Sequence, residues 1–129
     1  MQVHPFLMFQ GDAEAAMQLY FATFPESAVT EIARYKEGEA GRPGTIAKAS
    51  FTIAGQPLMC IDSPIAHAFT FTPAFSLFVD CDSEAELHRI HDALVVGGAT
   101  LMPLGDYGFS RRFAWISDRF GVSWQLNLK

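Results

Sequence analysis

The 129-residue sequence predicts an α+β fold made of two βαβββ modules. Three observations carry that expectation. First, Phe6-Leu7-Met8-Phe9 leads into a helix-like run opening at Asp12, and Phe75-Ser76-Leu77-Phe78 leads into another opening at Ser83. Second, the stretch from Lys48 to Met59 is echoed by the stretch from Arg112 to Gln125 when Gly55 and Gly121 are aligned. Third, a module of half this length cannot bury both faces of its own sheet, so two copies are expected to complete each other. The modules span about residues 1–62 and 74–129 of a single domain, joined by a connector over 63–73.

Each element has a local reason. Residues 3–9 form an apolar run ending at Gln10-Gly11, which reads as a buried strand. Asp12 is a suitable helix N-cap, and Ala13, Ala16, Met17, Tyr20, Phe21 and Phe24 then fall on one helical face. Pro25 ends that helix. Residues 28–36 read as a strand, 37–44 as a glycine- and charge-rich loop, and 45–54 with 56–61 as a hairpin turning at Ala54-Gly55. In the second half, residues 74–80 form a strand. Ser83-Glu84-Ala85-Glu86 is a capping box, Leu87, Ile90, His91 and Leu94 form the buried stripe, and Gly97-Gly98 closes the helix. Residues 100–102 form a strand and 103–110 a loop. A final hairpin over 111–117 and 122–128 turns at Asp118 to Gly121.

Bulk composition narrows the partners. Half the residues are hydrophobic and 12 are Phe, enough for a packed core. The net charge is −5 with no basic block, which speaks against nucleic acid as a partner. No apolar run approaches the ~18 residues of a membrane span, and no secretory signal opens the chain. Cys60 and Cys81 read as reduced thiols of a cytoplasmic protein.

At this point the chain resembles the vicinal oxygen chelate superfamily, the glyoxalase, bleomycin-resistance and dioxygenase fold. Within it the sequence is similar to the PhnB-like group labelled "3-demethylubiquinone-9 3-methyltransferase domain". The matching residues are Pro5 to Phe9 with Gly11-Asp12-Ala13-Glu14 and Tyr20, Met59 to Ser63, Phe69 to Pro73, Gly97-Gly98, Met102-Pro103-Leu104 and Asp118 to Leu126. The resemblance implies a curved, mostly antiparallel sheet in each module, folded around a cavity, and a homodimer. The methyltransferase label finds no support in local motifs. A conventional adenosylmethionine site needs a glycine-rich loop after a strand in a doubly wound sheet, and Gly105-Asp106-Tyr107-Gly108 is too short and precedes no helix.

Metal-using members of the superfamily take ligands from the first and last strands of each module. The resemblance carries those positions onto Pro5, Met59, Ala74 and Gln125. Pro and Ala have no donor, Met is a soft thioether and Gln a neutral oxygen, so no metal is expected there. His4, one residue from a ligand position, is expected to face away from the cavity because neighbouring strand residues point to opposite faces. His88 and His91 share a helix at i, i+3 with Asp92 adjacent, and read as an outer-face and a half-buried histidine without a third ligand.

The remaining candidates describe a ligand pocket. If Gln125 faces the cavity, alternation puts Ser123 and Asn127 on its side, and Ala74, Ser76 and Phe78 share a side in the fifth strand. A floor polar at Ser76 and Gln125 with Phe78 as a wall suits a small, largely apolar ligand bearing one or two hydrogen-bonding groups. Trp115 on the closing hairpin, Tyr107 in the 105–109 loop and the connector residue His67 are placed near that ligand. A Trp in such a hairpin, Trp115 or Trp124, is more often core than ligand platform, and Arg111-Arg112 read either as a site for an anionic group or as solvated, ion-paired side chains. The strand parity of Glu31, Arg34 and Lys48 is open. The expected function is metal-independent, cofactor-free binding of an apolar metabolite or antibiotic. The rival is an enzyme of the superfamily using an unexpected metal, or His67 as acid or base.

Overall fold

The computed structural model describes all residues, 1–129. It contains two helices and eight strands in two four-stranded sheets, two βαβββ modules of the glyoxalase-type α+β fold. The chain divides into two compact units, Met1–Ala68 and Phe69–Lys129.

In the first unit, β1 (Phe6–Phe9), α1 (Ala13–Thr23), β2 (Ala28–Arg34), β3 (Ile46–Ile53) and β4 (Gln56–Asp62) build a sheet of order β1-β4-β3-β2. The β1–β4 pair is parallel and the other two are antiparallel. One face of the sheet is dry. Leu7, Phe9, Phe51, Leu58 and Cys60 are buried there, and α1 covers it with Ala13, Ala16, Met17 and Tyr20. Pro5 and the residues before it lie outside the strand, although Pro5 O still accepts from Met59 N at 2.9 Å. The β3–β4 hairpin turns at Ala54 and Gly55, with φ of 49° and 81°. Positive φ at both central positions matches the right-handed twist of the flanking strands.

The start of α1 is not capped as the local sequence suggests. Asp12 occupies the N-cap position but makes no side-chain cap bond. Instead Asp62, at the end of β4, supplies the carboxylate. Its Oδ1 accepts from Gly11 N (2.7 Å) and Ala13 N (3.0 Å), and its Oδ2 from Ile46 N (2.9 Å). The Asp62 backbone carbonyl accepts from the Tyr35 hydroxyl at 3.0 Å. Asp62 is buried, so each of these donors would lose its partner without access to bulk water.

In the second unit, β5 (Ser76–Asp80), α2 (Glu84–Val95), β6 (Ala99–Gly105), β7 (Arg112–Ser117) and β8 (Ser123–Leu128) repeat the plan with order β5-β8-β7-β6. Here α2 packs Leu87, Ile90 and Leu94 onto β7 and β8, where Ala114, Ile116, Trp124 and Leu126 are buried. The capping box forms in part as expected: Ser83 Oγ accepts from Glu86 N (3.1 Å), while the Glu86 carboxylate reaches one residue further, to Asp82 N (3.1 Å). Gly98 lies so close to the β7 end that a Cβ would stand 2.0 Å from Ser117 O. β6 runs to Gly105, past the expected end at Met102, because Pro103 sits in an edge strand whose ladder is already broken by two register shifts. A second buried carboxylate, Asp118, holds the β7–β8 turn: Oδ1 accepts from Phe120 N and Val122 N, and Oδ2 from Trp124 Nε1 (2.9 Å).

Asp62→Ala is expected to cost about 3 kcal/mol or more of unfolding free energy in urea denaturation, because three N–H groups, two buried and one part-buried, lose a charged acceptor. Asp62→Asn, which keeps one acceptor oxygen, should cost less. A loss below about 1 kcal/mol for the alanine variant, within the ordinary range for a single hydrogen bond, would contradict this role.

Candidate functional site

The sheet of the second unit has one face under α2 and one open. Strand pairing fixes which residues share the open face. Ser76 lies opposite Ser123, Phe78 opposite Gln125 and Asp80 opposite Asn127. Across β7, Phe113 faces Asn127, Trp115 faces Gln125 and Ser117 faces Ser123. Met102 of β6 lies beside Trp115. Gln125 therefore sits between an indole and a phenyl ring, on a half-buried position.

A polar chain crosses this face. Trp115 Nε1 donates to Ser123 Oγ (2.8 Å), the Ser123 and Ser76 hydroxyls share a hydrogen bond (2.7 Å), and Gln125 Nε2 donates to Ser76 Oγ (3.2 Å). Asn127 Nδ2 donates to Asp80 Oδ1 (2.9 Å) beside it. At one end the face turns aromatic. Phe113 takes Phe109 edge-on at 5.0 Å between centroids and Tyr107 edge-on at 6.0 Å, with Phe78 tilted at 6.4 Å. Tyr107 stacks on Phe109, and its hydroxyl donates to Pro103 O, which pins the 105–109 loop over the end of the sheet. Phe78 and Phe109 remain 57% and 63% exposed, so their rings are available rather than consumed by the core.

Ser76, Phe78, Tyr107, Trp115 and Gln125 thus belong to one surface of the second unit. His67 belongs to the first, where its Nε2 lies 2.9 Å from Ser63 Oγ. Trp124 is core, 1% exposed. Sequence reasoning reached Phe109 only as the end of the 105–109 loop, and did not reach Phe113 and Asp80. The period-two alternation that placed Ser76 and Phe78 would have found Asp80, and the same count from Trp115 gives Phe113.

The open face of the first sheet carries Phe6, Met8, Met59 and Ile61 from β1 and β4. Pairing also settles the parity of the charged residues. Glu31 faces Ser50 and Ala33 faces Lys48, so Glu31 and Lys48 share the face of Met59 and border a cleft of about 360 Å³ with Ile32 and Ala33. Arg34 is on the other side, bonded to Glu14 of α1. The Arg34 hydrogen bond holds the Glu14 carboxyl below its usual range, and Glu14 in turn raises the guanidinium.

At the positions that the resemblance implies for metal ligands, Met59 pairs with Phe6 and Gln125 with Phe78, while Pro5 and Ala74 lie just before β1 and β5. Two phenyl rings, a thioether and one amide do not fit a hard divalent cation. His4 Nε2 approaches only the neighbouring Gln2 side chain, at 3.4 Å. His88 leans to Glu84 (3.6 Å) and His91 to Asp92 (3.0 Å), so the two rings have separate carboxylate partners. Nowhere do three His, Cys, Asp or Glu side chains converge as a cation site. No helix is long and apolar enough to cross a membrane.

Paired βαβββ modules with open sheet faces define a glyoxalase-type protein. Comparison with known proteins narrows the class. The chain belongs to the family described as 3-demethylubiquinone-9 3-methyltransferase, whose profile matches residues 1–127. It is similar to the PhnB protein of Bacillus cereus, with 49% identity, full coverage of both chains and a TM-score of 0.97. Protein PA1353 of Pseudomonas aeruginosa is 27% identical, with 100% and 98% of the two chains covered and a TM-score of 0.86. Protein YjdN of Escherichia coli K12 is 26% identical over 141 residues, 99% of this chain and 95% of that protein. The fosfomycin resistance protein FosX of Mesorhizobium loti shares the fold, with a TM-score of 0.65 at 12% identity over 98% and 90% of the chains. The family's name does not describe this sheet, which has one parallel pair per module and no doubly wound βα order.

Both cysteines are buried free thiols. Burial pushes the Cys60 thiol up to about 12, with Asp62 adding to the effect, and burial raises Cys81 to about 11. At pH 8 the thiolate is then about one part in ten thousand and one in a thousand, respectively. Both thiols should resist a disulfide-exchange reagent in the native protein and react fully once it is unfolded. Rapid labelling of either in the native state would contradict the assignment. Stability should also fall as the pH rises past about 9, because the unfolded chain releases thiol protons that the native one retains.

Proposed function

We propose that the protein binds a small, largely apolar ligand without a metal, on the open face of the second-unit sheet. The observation that supports this most is the pairing of an exposed aromatic cluster with an ordered polar chain on one surface. Phe78, Tyr107 and Phe109 offer rings to an apolar body. The Gln125 amide is held by Ser76, which Ser123 and Trp115 hold in turn, so a polar group meets the ligand in a fixed orientation. A metabolite or antibiotic with an aromatic or hydrophobic body and one or two hydrogen-bonding groups fits this pattern. The protein acts in the cytoplasm in this reading, where two buried free thiols stay reduced. It works as a homodimer: β2 is an edge strand exposed along its whole length, with Val29 and Ile32 uncovered, and a second copy is the occupant proposed for it.

A second reading, an enzyme using His67 as acid or base, has one observation in its favour: the 2.9 Å contact between His67 Nε2 and Ser63 Oγ.

Titration calorimetry with indole and phenol as probes separates the two. Binding should be unchanged after dialysis against a chelator, unchanged in His67→Ala, and at least tenfold weaker in Gln125→Leu. Binding that disappears with the chelator, or that ignores Gln125→Leu while failing in His67→Ala, would contradict the proposal. Light scattering should give the mass of two chains, and a monomer at micromolar concentration would contradict the dimer.

A further inference from the structure

The loop between β2 and β3 holds an exposed arginine, Arg42, whose side chain has no hydrogen-bond or ion-pair partner in the protein. Tyr35 reaches over this loop to donate its hydroxyl to Asp62 O, and the loop passes beneath the ring at Gly41. A Cβ at Gly41 would stand 2.3 Å from the Tyr35 ring, so only glycine lets the chain pass so close. The next residue, Arg42, is thereby carried across to Gly11, and its Nη2 would lie 3.5 Å from a Cβ built there. Together they border a cleft of about 160 Å³ that Gln10, Thr45, Asp62 and Ser63 also line. That is room for about five water-sized atoms.

Arg42 differs from the other arginines. Arg34 and Arg112 pair with Glu14 and Glu84, Arg111 bonds Lys129 O, and Arg119 lies over the Phe120 ring. Arg89 also has a partner. The Arg42 guanidinium has none. The carboxylate nearest in the cleft, Asp62, is already taken up by three backbone N–H groups. The Gln10 amide at the cleft is also unbonded. An unpaired planar guanidinium beside an unpaired amide donor, in a small polar cleft, matches a group with two or more oxygens in one plane or tetrahedron.

We infer that this cleft of the first unit is a binding site for a small oxyanion, the carboxylate or phosphate group of a ligand, held by Arg42 and Gln10. The inference does not rest on the ligand face of the second unit. It is tested by following backbone and side-chain amide resonances of the full chain as inorganic phosphate, or separately acetate, is added. Saturable shifts at Gly11, Gly41 and the Gln10 amide are expected with at least one anion, and the tighter of the two identifies which oxyanion the site takes. The affinity should fall at least tenfold in Arg42→Gln and several-fold in Gln10→Ala, with the melting temperature of each variant recorded. No saturable response to either anion would overturn the inference. So would an Arg42→Gln variant that is less stable but binds as before, since Arg42 would then serve only as a counter-charge to Asp62. If Arg42→Gln does not fold, unchanged binding by a folded Gln10→Ala overturns the site as described.

Discussion

The first unit depends on one carboxylate. Asp62 ends β4, yet it closes the hydrogen-bond needs of the turn before α1, of the first residue of α1 and of the first residue of β3. Its carbonyl adds Tyr35, just past β2. Four elements therefore meet at one buried residue, and a helix that lacks a local cap is held from the neighbouring strand, far off only in sequence. The arrangement fixes how α1 lies across Leu58 and Phe51, and with it which sheet face stays open. The backbone carbonyl of the same residue, through the Tyr35 hydroxyl, helps to position the loop that carries Gly41 and Arg42.

The second unit repeats the plan but not the anchor. Its helix is capped locally by Ser83, and the buried carboxylate has moved to the β7–β8 turn, where Asp118 ties the turn to the indole of Trp124. Freed from holding the helix, the end of β8 and its partner β5 carry side chains that bond to one another on the open face: Ser76 with Ser123 and Gln125, Asp80 with Asn127. Duplication thus gave two scaffolds of one topology with different surfaces, Met59 and Phe6 on one, Gln125 and Phe78 on the other.

Much of this was legible in the chain. The spacing of Ala13, Ala16, Met17 and Tyr20 defines a buried helix face, and each of these residues is buried. The repeat of two β-α-β-β-β orders appears as two sheets of matching strand order. Period-two alternation put Ser76 with Phe78, and Ser123 with Gln125, and the pairing of β5 with β8 agrees. What stayed hidden has physical reasons. A cap supplied from about fifty residues away leaves no local signature, so Asp12 looked like the cap and nothing local marked Asp62. Strand register was not legible either, because a repeat offset fixes which residues correspond between modules and not which stand opposite one another: Phe6 faces Met59 and Phe78 faces Gln125. Arg42 lies in a glycine-rich loop whose path is set by a tyrosine ring, a contact no spacing rule encodes.

In the proposed function, an aromatic surface with a tethered amide at its centre, rather than a cation, takes up the ligand. Trp115 reports on that surface directly, because its indole N–H starts the polar chain that ends at Gln125. The most direct measurement is the Trp115 indole N–H resonance in the metal-free protein as a small aromatic such as phenol is titrated in. A saturable shift there, with the buried Trp124 indole resonance unmoved, is the result the account predicts. A Trp115 resonance that stays fixed until a divalent metal is added would contradict it.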